Sequence, residues 1–189
     1  MRCNAKRFPS FGGLRYMHVV AINLLLIVLS GCASPSAQFD RYATQQHLEK
    51  TLVQGLQFDH AMYEKSGANV QSKALHIYIG GDGTPWDRNQ PAADPTPRNS
   101  LALRLMLVDL EQSIYLGRPC YHNANGNPEC TSRMWTFARY SESVVASMAA
   151  AIEKLSAERG VENVVLIGYS GGGVVASLLA TRLAMSPHS

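Results

Sequence analysis

The 189-residue sequence lacks the signatures of several classes of protein. It contains no phosphate-binding loop, no nucleotide motif and no cluster of metal ligands, so no cofactor and no metal are expected. It contains no internal repeat, which argues against solenoid and propeller architectures. The apolar run at Val19–Leu29 is too short to span a bilayer comfortably, so it does not predict a membrane-spanning helix.

The sequence also has little net charge once its N-terminal segment is set apart. The whole chain has 17 Lys and Arg residues against 14 Asp and Glu residues. Arg2, Lys6, Arg7 and Arg15 precede residue 32 and no acid does, which leaves 13 bases against 14 acids, or −1, in the remainder. A remainder of this charge has no basic surface for a polyanion, so no nucleic-acid partner is expected.

The N-terminal segment has the organisation of a bacterial export signal. A basic stretch precedes the apolar run, and the run ends in Leu29-Ser30-Gly31-Cys32, which resembles a lipobox. We therefore expect residues 1–31 to be a lipoprotein signal peptide and Cys32 to carry the lipids that anchor the chain to the cell envelope. A plain secretory signal or an uncleaved anchor is the alternative. By the same resemblance, Ala33 after the cysteine favours the outer membrane, facing the periplasm.

Only four cysteines are present, and two of them belong to this segment. Cys3 leaves with the signal, and Cys32 takes the lipid. Cys120 and Cys130 remain as a pair around a loop rich in Gly, Asn and Pro, in a compartment where disulfides persist. A disulfide between them is expected. A metal site would need more ligands than His122 alone supplies.

Apolar patterns predict a single domain with alternating strands and helices after a small, polar tether over residues 32–46. The opening stretch 48–65 alternates loosely and predicts a hairpin that turns at Asp59-His60. The Pro-rich stretch Asp87–Asn99 is not expected to form regular structure. Further strands are predicted at 74–79, 113–116 and 163–168, and helices at 100–109, 141–159 and 171–184. This order predicts an α/β fold with a mostly parallel sheet and flanking helices.

The central motif lies in Val161–Ala180, where a buried-type strand leads into a helix. Gly168-Tyr169-Ser170-Gly171-Gly172 separates the two and matches G-x-S-x-G. Such a turn between a strand and a helix is typical of a nucleophile elbow, which holds a serine hydroxyl above the sheet. A chance match in an ordinary loop is the alternative. Gly80–Gly83, after the strand at 74–79, is by itself a flexible turn.

Together these features resemble the α/β-hydrolase superfamily, and in particular lipid-anchored bacterial serine hydrolases. The resemblance is carried by four blocks: HIYIGGDGTPW (76–86), SIYLGRPCY (113–121), RYSESVVASMAAAIEKL (139–155) and VVLIGYSGGGVVASLLA (164–180). It implies that Ser170 is the nucleophile and that the substrate is a small molecule or lipid with an acyl bond. It also implies that the N–H groups of Gly171 and of Gly81 or Asp82 stabilise the oxyanion.

The sequence lacks the remaining catalytic partners of that superfamily. An acid and then a histidine should follow the nucleophile, but no Asp or Glu follows Ser170 and the only later histidine is His188. We therefore expect residues 47–189 to be the N-terminal part of a hydrolase domain without its C-terminal strands, of low stability and weak or no activity. The alternative is a non-catalytic envelope lipoprotein that uses the scaffold for binding or assembly. The oligomeric state and the start codon, with Met17 as a second candidate, stay open.

Overall fold

The structure is a computed structural model, and it describes residues 33–65, 73–124 and 126–185. The expected signal peptide, Cys32 and His188 lie outside these residues. Within the described part, no helix is both long and apolar enough to cross a membrane.

The elements of the described residues, in chain order, are α1 (Pro35–Gln45), β1 (Leu48–Gln54), β2 (Asp59–Lys65), β3 (Ala74–Ile79), β4 (Trp86–Asp87), β5 (Gln90–Pro91), α2 (Leu101–Val108), β6 (Ser113–Leu116), α3 (Glu142–Arg159), β7 (Asn163–Gly168) and α4 (Gly171–Ala184). Within this part of the chain, five strands form one mixed sheet in the order β1-β2-β6-β3-β7, and four α-helices cover it. Strands β6, β3 and β7 are parallel, whereas β1 and β2 add an antiparallel hairpin beside β6. The α/β class with a mostly parallel sheet is thus confirmed.

Alternate residues of β3 show how the sheet is covered on both faces. Leu75, Ile77 and Ile79 lie in the core beneath α3 and α4, whereas Tyr78 lies in the core that α1 and α2 cover. The apolar side of α3 supplies the first core with Val144, Val145, Met148, Ile152 and Leu155. A strand buried on both faces is the ordinary consequence of parallel connections that pass through helices.

The stretch expected to be a tether is instead the helix α1. Ser34 accepts a hydrogen bond from the Ala37 N–H and so caps the helix, and Pro35 occupies its first turn. Phe39 supplies the packing, because its ring centroid lies 5.0 Å from that of Tyr63 and 5.2 Å from that of Tyr115. One buried aromatic residue among small polar ones gives a weak sequence pattern, although it fixes the helix on the sheet.

Two other local expectations also differ from the structure. The hairpin of β1 and β2 turns at residues 55–58, where the Gly55 N–H donates to the Phe58 carbonyl at 2.9 Å. Asp59 and His60 belong to β2 and not to the turn. The ring of His60 is buried inside the domain, which favours this position. The Pro-rich stretch contains the short ribbon of β4 and β5, which pairs Trp86 with Pro91.

Strand β7 lies at the edge of the described sheet and pairs only with β3. Its outer side opens into an apolar groove of about 1050 Å³ between α3 and α4. Val165 is 41% exposed there, which is high for an apolar residue of a parallel strand. Ser170 does not line this groove.

The disulfide expected from the sequence is present between Cys120 and Cys130, with the two Cα atoms 5.4 Å apart. We expect its reduction to lower the free energy of unfolding by about 3 kcal/mol, since the unfolded chain regains the entropy of a short loop. Urea unfolding with and without dithiothreitol measures this difference. The double variant Cys120→Ala/Cys130→Ala is the control and should not respond to the reductant. Equal unfolding curves for the oxidised and reduced wild type would contradict the prediction.

Candidate functional site

Ser170 occupies the turn between β7 and α4, with φ 53° and ψ −124°. A positive φ is uncommon for a residue that has a Cβ, and such strain is held only where the surrounding structure fixes it. The residue is exposed, so its hydroxyl is open to solvent. Gly171 is the first residue of α4, and its N–H therefore has no partner within the helix.

The glycines around Ser170 are required by close backbone packing. A Cβ on Gly172 would lie 2.5 Å from the Gly80 carbonyl oxygen, and one on Gly168 would lie 2.5 Å from the Gly173 nitrogen. A Cβ on Gly171 would lie 2.6 Å from the carboxyl carbon of Asp82. Real Cβ atoms essentially never approach other groups so closely. The small residues of the motif thus allow α4 to begin directly against β3 and the loop that follows it.

The loop Gly80–Gly83 lies beside Ser170. Strands β3 and β7 run in parallel, with Ile79 opposite Gly168, so both chains leave the sheet at the same edge. The Tyr169 N–H donates to the Ile79 carbonyl at 3.1 Å. A Cβ on Gly81 would lie 3.3 Å from the Cβ of Ser170. The structure therefore brings together Ser170, Gly171, Gly81 and Asp82, the residues singled out in the sequence.

The Asp82 side chain is held by groups that the sequence analysis did not identify. Its carboxylate accepts hydrogen bonds from Arg118 and, at 2.7 Å, from the Tyr140 hydroxyl, and it forms an ion pair with Arg139 at 3.2 Å. Its backbone carbonyl accepts a hydrogen bond from the Tyr121 hydroxyl at 3.1 Å. We call these five residues the Asp82 cluster.

Charge in the Asp82 cluster favours the ionised carboxylate. Partial burial alone would raise the pKa of Asp82, but the hydrogen bonds from Arg118 and Tyr140 and the two guanidinium charges outweigh it and lower that pKa. Arg118 is almost fully buried, at 3% exposure, and its guanidinium carbon lies 5.2 Å and 5.4 Å from the ring centroids of Tyr121 and Tyr140. Its other terminal nitrogen donates to the Arg139 carbonyl at 2.7 Å. One anion and two cations leave the cluster with a net charge of about +1.

Ser170 opens into a cleft of about 250 Å³. Its walls are the Gly81–Thr84 segment, the residues that lead into α2, and the segment containing Tyr169 and Ser170. Pro97 and Arg98 come from the Pro-rich stretch, which therefore lines part of the cleft.

The described histidines are engaged away from Ser170. His60 is buried, with Nδ1 3.1 Å from the Gly117 carbonyl oxygen and Nε2 2.9 Å from the Ser147 hydroxyl. His122 packs among aromatic rings, with its Nε2 3.4 Å from the Tyr115 hydroxyl. His76 forms a 2.7 Å contact with Asp109, and His47 is exposed after α1. None of the hydrogen bonds of the described residues joins a histidine to Ser170.

Solved structures similar to this chain are α/β hydrolases. A bacterial membrane phospholipase A, described as a virulence factor, is 22% identical over 90% of this chain and 46% of its own, with a TM-score of 0.48. A proline iminopeptidase-related protein from Thermus thermophilus is 20% identical over 72% of this chain and 41% of its own, with a TM-score of 0.43. A hormone-sensitive lipase from a metagenome library is 14% identical over 88% of this chain and 51% of its own, with a TM-score of 0.43.

These likenesses concern the fold alone and assign no function. This chain spans about half the length of the solved structures that it matches. No protein-family model and no curated protein matches it.

Proposed function

We propose that this chain is the elbow-bearing part of an α/β hydrolase, with Ser170 as the nucleophile that attacks the acyl carbon of an ester. The observation that carries the proposal is the backbone of Ser170, with φ 53° between a strand and a helix and its side chain exposed. A strained, exposed serine at the carboxyl end of a parallel strand is what a nucleophile elbow requires.

The proposed reaction uses the groups that surround Ser170. Its Oγ forms a bond to the carbonyl carbon while its proton passes to a base, and the carbonyl oxygen becomes an oxyanion. The N–H of Gly171 and an N–H of Gly81 or Asp82 donate hydrogen bonds to that oxygen. A donor of this kind typically lowers the barrier by about 3 kcal/mol. Collapse of the intermediate breaks the ester C–O bond, and the leaving oxygen takes the proton from the base and departs as the alcohol. Water then attacks the acyl group on the serine and releases the acid, while its proton returns to the serine through the base.

The base and its acid are not among the described residues. His60, His76 and His122 are held by other partners, and no acid follows Ser170 in the sequence. The superfamily places both groups after the nucleophile. The proposed reaction therefore needs a histidine and an acid that the described residues do not supply.

We propose an acyl lipid or a smaller ester as the substrate class and the bacterial envelope as the location. The support is the lipobox-like sequence that ends at Cys32, because a lipid on that residue would hold the Ser170 cleft beside a bilayer. Because Ala33 follows Cys32 in that sequence, we propose attachment to the outer membrane, facing the periplasm.

A fluorophosphonate probe tests the nucleophile in the complete product of the gene. Peptide mapping should place the label on Ser170, and Ser170→Ala should abolish it. Ser177→Ala is the matched control, because Ser177 lies on α4, is exposed and donates its hydroxyl hydrogen to the Gly173 carbonyl of the same helix. Cys32→Ala should keep the label but move the protein from the membrane fraction to the soluble fraction.

Two results would reject parts of this proposal. Labelling that survives in Ser170→Ala would remove the nucleophile, and a Cys32→Ala variant that stays with the membranes would remove the anchor. A folded wild-type product that takes no label at Ser170 would favour the second candidate function, a binding scaffold. The binding scaffold is supported by the positions of the described histidines. His60, His76 and His122 contact other groups, and His47 is exposed and does not line the cleft.

A further inference from the structure

We propose that the Asp82 side chain is a positioning residue for the oxyanion donors, and this inference rests on the proposed function. Its carboxylate is bound by Arg118, Arg139 and Tyr140, and it would hold the Gly81–Asp82 backbone against the start of α4. The N–H of Gly171 and an N–H of Gly81 or Asp82 would then donate to the same oxyanion.

The contacts of Asp82 fix its position from several directions. Arg118 follows β6, whereas Arg139 and Tyr140 precede α3, so the carboxylate is held by two separate segments. The Tyr121 hydroxyl fixes the backbone carbonyl of the same residue. Side chain and backbone of Asp82 are thus both restrained, which is the requirement for a preorganised N–H donor.

The geometry also joins Asp82 to the start of α4. A Cβ on Gly171 would lie 2.6 Å from the Asp82 carboxyl carbon and 2.6 Å from the Tyr140 hydroxyl. The carboxylate therefore occupies the space that any other residue at 171 would need. The loop after β3 and the first residue of α4 are in direct contact through this side chain.

Positioning by Asp82 and the direct effect of its negative charge predict opposite changes in the reaction rate. A carboxylate close to Gly171 repels a developing oxyanion, so removing its charge should by itself make the oxyanion easier to form. Positioning predicts the opposite sign, because Asp82→Asn loses its charge-assisted hydrogen bonds and frees the loop. The direction of the change in rate therefore decides between the two.

The test measures the rate of phosphonylation of Ser170 against probe concentration in the complete gene product. The maximal rate reports stabilisation of the transition state, and the half-saturating concentration reports binding. Asp82→Asn should lower the maximal rate about 100-fold, the usual effect of losing one oxyanion donor, with little change in the half-saturating concentration. Tyr140→Phe keeps the ring and should lower the maximal rate about tenfold, as expected for one hydrogen bond to a charged group.

Asp40→Asn is the matched control. Asp40 also accepts a hydrogen bond from a tyrosine, Tyr63, and pairs with a cation, Lys50, but it lies on α1. This variant should lose stability and keep the wild-type maximal rate, as a purely structural role predicts.

The outcomes distinguish this inference from the proposed function. If Ser170→Ala abolishes labelling while Asp82→Asn and Tyr140→Phe label at the wild-type rate or faster, positioning is rejected and the nucleophile stands. If Asp82→Asn does not fold, Tyr140→Phe decides by the same criterion. If labelling survives in Ser170→Ala, the nucleophile itself is rejected.

Discussion

Replacing Gly172 by alanine should lower the free energy of unfolding by about 3 kcal/mol and the melting temperature by roughly 10 °C. The added methyl group would lie 2.5 Å from the Gly80 carbonyl oxygen and closer still to that of Ile79. Both are backbone atoms and cannot rotate aside, so α4 must move away from β3. Because that movement also separates Ser170 from Gly81, labelling of Ser170 should fall as well. Urea unfolding followed by circular dichroism measures the loss.

Gly173 provides the control on the same helix. A Cβ at this position would lie 3.5 Å from the nearest atom, the Gly168 carbonyl oxygen, which is an ordinary contact. Since alanine favours a helix over glycine by about 1 kcal/mol, Gly173→Ala should be neutral or stabilising. A loss of stability in Gly173→Ala as large as that in Gly172→Ala would contradict the prediction, because it would show that the loss does not depend on contact with β3.

Acid should destabilise the fold, because two buried histidines resist protonation in the folded state. Burial lowers the pKa of His60 from 6.5 to about 4, although the hydrogen bond to Gly117 and the charge of Asp59 raise it slightly. Burial also lowers the pKa of His122, to about 3, with a smaller lowering effect of Lys50 and a raising effect of Asp94. Between these values and 6.5 the unfolded chain binds two protons that the folded chain does not. The free energy of unfolding should therefore fall as the pH falls, with a slope approaching about 2.7 kcal/mol per pH unit.

Thermal unfolding between about pH 7 and pH 4 checks this prediction. His60→Gln should remove about half of the slope, whatever it costs at neutral pH. The lowered pKa of Asp82 affects stability mainly as the pH falls below the ordinary carboxylate value of 3.8, beyond the lower end of this range. A slope that is the same in the wild type and in His60→Gln would overturn the assignment.

The elements that the sequence predicted well are those whose own residues carry the pattern. The β-branched run of β7 and the spaced apolar residues of α3 predict their structures without knowledge of their partners. The glycines around Ser170 gave the turn because only small residues fit where a helix starts against a strand. The Cys120–Cys130 bond followed from the small number of cysteines and their spacing.

The elements that the sequence did not predict depend on distant partners. Phe39 makes α1 a packed helix only because Tyr63 and Tyr115 lie beneath it. Asp59-His60 has the composition of a turn, but burial of the His60 ring places both residues in β2.

The Asp82 cluster was missed for the same reason, since Tyr140 lies 58 residues along the chain from Asp82. One signal was present in the sequence. Arg118 follows directly after β6, and the carboxyl ends of parallel strands meet at one edge of a sheet. A charged residue at that position was therefore a candidate neighbour of the loop after β3.

The position of the disulfide suggests when the chain would mature. Arg118 and Tyr121 stand on either side of Cys120, so two of the groups that hold Asp82 adjoin the covalent link. On the proposed function, a newly made chain among reduced thiols would carry its serine beside a loop not yet fixed. Hydrolase activity would then develop only after export and oxidation of the two cysteines. The producing cell's own acyl esters would therefore not be hydrolysed during synthesis.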